Sequence, residues 1–106
     1  MSQRIKRQAQ MLKFLSKATP KTVKAIVTNC DGDLVDAISE CSLNILKGNV
    51  PLKKCQRKRL SKYKNHLRCM TNKNISKRRK KALLQKGGFL QALLSPVLSV
   101  LASILT

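Results

Sequence analysis

The sequence predicts a small all-α protein, in which a small helical module is followed by a basic helix and an apolar C-terminal helix. Apolar residues recur at helical spacing in successive segments, and residues that start or stop helices stand between them. The 106 residues are enough for one domain with a thin core. With 42% hydrophobic residues, the chain is too apolar for a disordered basic tail.

Charge divides the chain into stretches of different composition. Residues 1–30 hold seven basic residues and no acid, all four acids lie within residues 31–40, residues 53–86 hold fifteen basic residues, and residues 87–106 hold no charge. We therefore predict a three-helix module over residues 1–50, a basic nucleic-acid-binding segment over residues 51–86 and an apolar helical tail over residues 87–106. The net charge of +19 favours a polyanionic partner, either nucleic acid or an anionic membrane.

The first segment predicts two amphipathic helices. One covers residues 4–17, and its apolar face consists of Ile5, Ala9, Leu12 and Leu15, widened by Met11 and Phe14. Thr19 is a favourable N-cap and Pro20 suits the first helical position, so a second helix is predicted over residues 20–28. It presents Val23, Ile26 and Val27.

A third helix is predicted over residues 33–47, capped by Asp31 or Asp33 and stopped by Gly48. Its apolar face consists of Leu34, Ile38, Cys41 and Ile45. The acids near its start interact favourably with the positive end of the helix dipole, and they offset the charge of nearby Lys and Arg. An EF-hand is excluded because Asp36 stands where the loop needs glycine and Ser42 stands where it needs glutamate.

The basic segment predicts a helix over residues 52–70 with a narrow apolar seam of Leu60, Tyr63, Leu67 and Met70. A further short helix within ISKRRKKALLQK is capped by Asn74 or Ser76. The predicted nucleic-acid-binding residues are Lys53, Lys54, Arg57, Lys58, Arg59, Lys62, Lys64, Arg68, Lys77, Arg78, Arg79, Lys80 and Lys81.

These cations predict sequence-independent binding to the backbone of double-stranded DNA through phosphate neutralisation. Only one Tyr and two Phe are present, and no known base-reading motif occurs. A nuclear-import signal in SKRRKK fits the same residues.

No enzymatic activity, cofactor, metal or small-molecule substrate is predicted. The acids form one cluster with no second group to complete a catalytic pair, and His66 is the only histidine. Cys30, Cys41, Cys55 and Cys69 match no zinc-ligand spacing, so we interpret them as reduced, half-buried small hydrophobic residues.

The tail predicts a helix from Phe89 to Leu105, about 26 Å long against a hydrocarbon core of about 30 Å. The residues predicted to face a membrane or partner are Phe89, Leu90, Leu93, Leu94, Val97, Leu98, Leu101 and Ile104. Gln91, Ser95, Ser99 and Ser103 form a small polar stripe suited to close packing, including self-association. Pro96 permits a kink or a second helix start, and the alternative is that the tail completes the core of the domain.

The pattern of a basic run, KGG and FLQALLSPVLSVLASIL resembles the core protein X (mu precursor) family of adenoviruses over about 30 C-terminal residues. It also resembles the small basic virion proteins of adintoviruses and Polinton or Maverick elements from about residue 8 onward, through LNILKGNVPL and LLQKGGFLQALLSPVLSVL. The resemblance implies a virion component that condenses DNA and carries a membrane-active tail, located in the virion core or host nucleus.

The resemblance also implies cleavage by a viral protease at Gly87 and Gly88, although Gln85 stands where that protease family favours Met, Leu or Ile. Two other functions remain open from the residues alone. One is a membrane-anchored or membrane-permeabilising peptide whose charge serves anionic lipid. The other is a helical adaptor with the tail buried in its core.

Overall fold

The computed structural model describes residues 3–85 and 88–105, and for residues 103–105 it describes the backbone alone. These residues form eight helices and no strand, so the predicted all-α class is confirmed. The helices are α1 (Gln3–Arg7), α2 (Ala9–Lys17), α3 (Pro20–Asn29), α4 (Gly32–Leu46), α5 (Lys54–Ser61), α6 (Lys64–Thr71), α7 (Lys77–Leu84) and α8 (Phe89–Leu105).

Three helices begin at the capping residues that the sequence predicts. The Thr19 hydroxyl accepts a hydrogen bond from the Thr22 amide at 3.3 Å at the start of α3. The Asp31 carboxylate accepts one from the Leu34 amide at 3.2 Å at the start of α4. Ser76, rather than Asn74, caps α7, and each cap satisfies an amide that has no partner within its helix.

Helix α4 ends at a glycine because its last turn needs a left-handed residue. Gly48 has φ +76°, its amide donates to the Ile45 carbonyl at 3.1 Å, and the Asn49 amide donates to the Asn44 carbonyl at 2.9 Å. This pair of hydrogen bonds is the Schellman arrangement, which satisfies the last carbonyls of a helix.

Two predicted helices are each divided. The helix predicted over residues 4–17 becomes α1 and α2 because Gln8 leaves helical geometry, at φ −93° and ψ 4°. The helix predicted over residues 52–70 becomes α5 and α6, with Tyr63 at φ −112° and ψ 22° between them. The predicted seam is confirmed across this break, since Leu60, Leu67 and Met70 are buried.

The core is organised around α4 and α8. Helix α8 packs mainly on α2 and α5, and α4 packs mainly on α6 and α1 while also touching α7 and α8. All four residues of the predicted α4 face are buried. On α2, however, Met11 and Phe14 do not widen the apolar face and are 38% and 54% exposed.

The three predicted segments, residues 1–50, 51–86 and 87–106, all contribute to one hydrophobic cluster. It includes Leu12 and Ile38 from the first segment, Leu60 and Leu84 from the second, and Leu94 from the tail. The radius of gyration is 12.5 Å, close to the value of about 13 Å that a globular chain of this length should have. The divisions in composition along the chain are therefore not divisions of the core.

Candidate nucleic-acid interface

The basic surface of α5 and α6 consists of the eight predicted residues from Lys53 to Arg68, and every one of them is exposed. Leu60, Leu67 and Met70 hold the inner side of these helices in the core, so the remaining positions project outward. We call this set the α5–α6 surface. It contains Lys53, Lys54, Arg57, Lys58, Arg59, Lys62, Lys64 and Arg68.

The α5–α6 surface is joined to the rest of the molecule at the start of α5. The Lys53 amide donates to the Gln56 side-chain oxygen at 2.9 Å, and the Gln56 side-chain amide donates to the Ser95 hydroxyl at 3.3 Å. The first of these bonds satisfies an amide at the helix start. The second connects α5 to the outer side of α8, which positions the basic helix without using any of its cations.

Three acids of α4, namely Asp33, Asp36 and Glu40, pair with cations of α1 and α7. Arg4 binds Asp33 at 3.3 Å and also binds Glu40, Arg7 approaches Asp33 at 3.7 Å, and Lys77 binds Asp36 at 3.1 Å. Within the described part of the chain, no carboxylate forms an ion pair with the α5–α6 surface. None of its eight positive charges is therefore neutralised by a described ion pair.

The hydrogen bonds of Asp33 favour its charged form. The side-chain amide of Gln8 donates to its carboxylate at 2.8 Å, and Arg4 donates a second bond, while partial burial acts in the opposite direction. Together these contacts hold the pKa of Asp33 below its ordinary value. The prediction that the acid cluster offsets neighbouring basic residues is thus confirmed for Asp33, Asp36 and Glu40.

The five cations from Lys77 to Lys81, all predicted to bind nucleic acid, do not face solvent as one block. Lys77 pairs with Asp36, Lys80 is buried at 8% exposure, and the Lys81 ammonium donates to the Cys30 carbonyl at 2.7 Å. Only Arg78 and Arg79 are exposed without a described ion pair. The cause is helical periodicity, because positions i, i+3 and i+4 share one face, and here that face meets α3 and α4.

The apolar residues of α8 face inward in this structure. Phe89, Leu90, Leu93, Leu94, Val97 and Leu101 are buried and Leu98 is half-buried, while the Ile104 side chain lies outside the described residues. The predicted three-helix module is too small to cover these side chains, but α2, α4 and α5 all pack against α8 in the structure. No helix in the described ranges is long and apolar enough to cross a membrane.

The predicted polar stripe of α8 lies on the side of the helix that faces away from the core. Ser95 and Ser99 are exposed and Gln91 is half-buried, so the stripe marks the outer side of the helix. Ser103 has no described side chain. Pro96 lies inside the continuous helix and is buried, so α8 neither stops nor restarts there.

Gly87, one of the two predicted cleavage residues, lies outside the described residues. Gly88 is half-buried with φ +89°, and the next residue, Phe89, is fully buried. A protease needs an extended backbone on both sides of the bond it cuts. Cleavage after Gly88 therefore requires the first turn of α8 to leave the core.

The sequence reasoning missed a second group of exposed cations on α2 and α3, namely Lys13, Lys17, Lys21 and Lys24. The signal for them was the absence of acids in residues 1–30. The described residues contain no cluster of His, Cys, Asp or Glu that could hold a metal ion.

Comparison with known proteins gives no assignment: no protein-family model, no curated protein and no solved structure matches the chain.

Proposed function

We propose that this protein binds and condenses double-stranded DNA without sequence preference, as a non-enzymatic packaging protein. The observation that carries the proposal is the α5–α6 surface, where eight cations within 16 residues of the chain are all exposed and none forms a described ion pair. Such a surface gains affinity by releasing the counterions of the phosphate backbone. Assignment to a virion core in the host nucleus rests on the sequence resemblance described above.

Condensation follows from the distribution of charge over a small body. The molecule measures 30 × 28 × 26 Å and carries further exposed lysines on α2 and α3, away from the α5–α6 surface in the sequence. Two separate groups of exposed cations allow one molecule to neutralise more than one duplex at once. This neutralisation lowers the repulsion between neighbouring duplexes.

The test compares two variants that lose the same charge at different places. The first changes Arg57, Lys58, Arg59 and Arg68 to Gln, and the control changes Lys13, Lys17, Lys21 and Lys24 to Gln. Binding to short duplexes of unrelated sequence is measured by fluorescence anisotropy between about 50 and 200 mM salt. We expect the slope of log K against log salt to become less steep by about 3 to 4 in the first variant. The control should change the slope by less.

Equal loss in both variants would show that net charge, and not the α5–α6 surface, governs binding. Strong preference for one duplex sequence would contradict the backbone mechanism. Light scattering of long DNA mixed with either variant reports condensation separately from binding.

A membrane-active role for α8 is our second proposal, and its basis is a helix of 17 residues without a charged side chain. Because its apolar side is buried, membrane insertion requires α8 to separate from α2 and α5. Flotation of the full chain with anionic vesicles, followed by a high-salt wash, tests this role. Protein that stays with the lipid after the wash supports insertion, and complete release leaves α8 as the core helix of a DNA-binding or adaptor domain.

A further inference from the structure

A cleft separates the end of α3 and the start of α4 from α7. Its volume is about 510 Å³, which lies within the usual range for ligand sites. Five of its seven lining residues have polar or cationic side chains, the other two are Gly32 and Ala82, and none is acidic. The residues that matter for the argument are Thr28, Gly32, Lys77, Arg78, Lys81 and Gln85.

Hydrogen bonds to neighbouring groups hold most of these side chains in place. The Lys81 ammonium donates to the Cys30 carbonyl at 2.7 Å, which leaves it two further donors. The Gln85 amide donates to the Thr28 hydroxyl at 2.7 Å across the cleft. Lys77 is held by Asp36 at 3.1 Å. Side chains ordered in this way lose little further freedom when a ligand binds.

Gly32 allows the Lys77 side chain to lie directly over the backbone at the start of α4. A Cβ atom added at Gly32 would stand 2.7 Å from the Lys77 ammonium nitrogen, which is too close for any real contact. Gly32 is also the first residue of α4, so the positive end of a 15-residue helix adds to the field of the cations.

Arg78 is the free donor of the cleft. It is exposed, lines the cleft and forms no described ion pair. A guanidinium presents several donors in a planar arrangement that matches phosphate oxygens. Lys77, Arg78 and Lys81 together bring three positive charges to a lining without acids, while Asp36 pairs with Lys77 and Asp31 and Asp33 flank Gly32 in the chain.

We propose that this cleft binds adjacent phosphate groups, with Arg78 and Lys81 as the donors that contact them directly. The ligand chemistry is that of linked phosphates, supplied either by the backbone of a nucleic-acid strand or by a free polyphosphate. In the first case the inference rests on the proposed function and adds a structured contact to the diffuse α5–α6 surface.

Arg79 provides a matched control for Arg78. The two residues are neighbours on α7, both are exposed, and both carry the same charge. Arg79, however, lines a different depression beside Cys69 and Ile75. Arg78→Gln and Arg79→Gln therefore remove equal charge and differ only in the cleft.

The experiment titrates the full chain with sodium tripolyphosphate and, separately, with a short DNA duplex at physiological salt. Calorimetry gives the affinity, and amide NMR shifts locate the ligand. We expect tripolyphosphate to shift the Gly32 and Gln85 amides, and Arg78→Gln to weaken its binding by about tenfold or more. Arg79→Gln should change that affinity less than about twofold.

The same variants separate the two sources of phosphate. If Arg78→Gln also weakens duplex binding more than Arg79→Gln, the cleft takes the nucleic-acid backbone. If only tripolyphosphate is affected, the cleft takes free polyphosphate. Equal effects of the two substitutions on both ligands, or shifts centred elsewhere, would overturn the proposal.

The experiment distinguishes an error in the cleft proposal from an error in the proposed DNA binding. The variant with four substitutions on the α5–α6 surface should keep its tripolyphosphate affinity at the cleft while losing duplex binding. If duplex binding depends on the α5–α6 surface and Arg78→Gln and Arg79→Gln have equal effects on both ligands, the cleft proposal is overturned and the proposed function stays intact.

Discussion

The hydroxyl of Tyr63 lies directly against the backbone of Gly88, so that a Cβ atom at position 88 would stand 2.6 Å from it. Gly88 also has φ +89°, a conformation that side-chain-bearing residues rarely adopt. Tyr63 sits at the break between α5 and α6, and its ring packs on Phe89 with centroids 5.6 Å apart. This contact joins the basic helices to the start of the core helix.

The first prediction is that Gly88→Ala destabilises the protein by more than Gly48→Ala. Gly48 has a similar φ of +76° but nothing within 4 Å of an added Cβ, so it reports only the backbone cost of about 1 to 2 kcal/mol. Urea unfolding followed by circular dichroism measures both. Tyr63→Phe should recover part of the extra loss in Gly88→Ala and none of the loss in Gly48→Ala, and an equal effect on both would contradict the contact.

The second prediction concerns α8 as the centre of the core. Leu94→Ala should lower the free energy of unfolding by about 2 to 5 kcal/mol, because Leu94 is fully buried and the substitution leaves a cavity. Ser99→Ala, on the outer side of the same helix, should stay within about 0.5 kcal/mol. Similar small effects for both substitutions would indicate that α8 does not reside in the core in solution.

The third prediction is that acid weakens the attachment of α1 to α4. Hydrogen bonds from Gln8 and Arg4 lower the pKa of Asp33, so its contribution to stability is present above the unfolded pKa of about 3.9 and is lost as pH falls through the lower folded value. At neutral pH the urea midpoint of the wild-type protein should therefore be higher than that of Asp33→Asn. In acid the difference between the two midpoints should disappear. A gap that stays constant as pH falls would contradict this linkage.

The fourth prediction ranks the reactivity of the four thiols. Burial is the main cause that raises the pKa of Cys41 to about 12, so it stays protonated and covered near pH 8, and burial also raises the pKa of Cys30. Cys55 is exposed and should react first with a thiol reagent such as DTNB. Cys55→Ser should remove the fast phase, and all remaining thiols should react in denaturant. Reaction of the Cys41 thiol in the fast phase would contradict its burial.

Local features of the fold were predictable because they depend on residues close in sequence. Thr19, Asp31 and Gly48 act at the helix ends where the sequence places them, since capping involves hydrogen bonds within four residues. The helix breaks were less predictable. The sequence around Gln8 and Tyr63 continues a helical pattern, but their side chains contact Asp33 and Phe89, which lie far along the chain.

The candidate site was predictable in part for the same reason. The α5–α6 surface follows from one seam of Leu60, Leu67 and Met70, which leaves the remaining positions outside. Which cations from Lys77 to Lys81 face solvent was not predictable, because composition does not show which face of α7 meets α4. The cleft at Arg78 likewise depends on residues more than forty positions apart, such as Thr28 and Gln85.

The sequence alone therefore determined the all-α class, the capped starts of α3 and α4, the glycine stop of α4, the inward faces of α4 and of α5 and α6, and the separation of charge from apolar residues. These features arise from local hydrogen bonding and from the 3.6-residue period. Only the tertiary structure decided that the apolar tail lies in the core, that Lys77, Lys80 and Lys81 lie on the side of α7 that meets α3 and α4, and that a cationic cleft forms beside α3. Each of these depends on which helices meet, and that is settled by packing between residues distant in the chain.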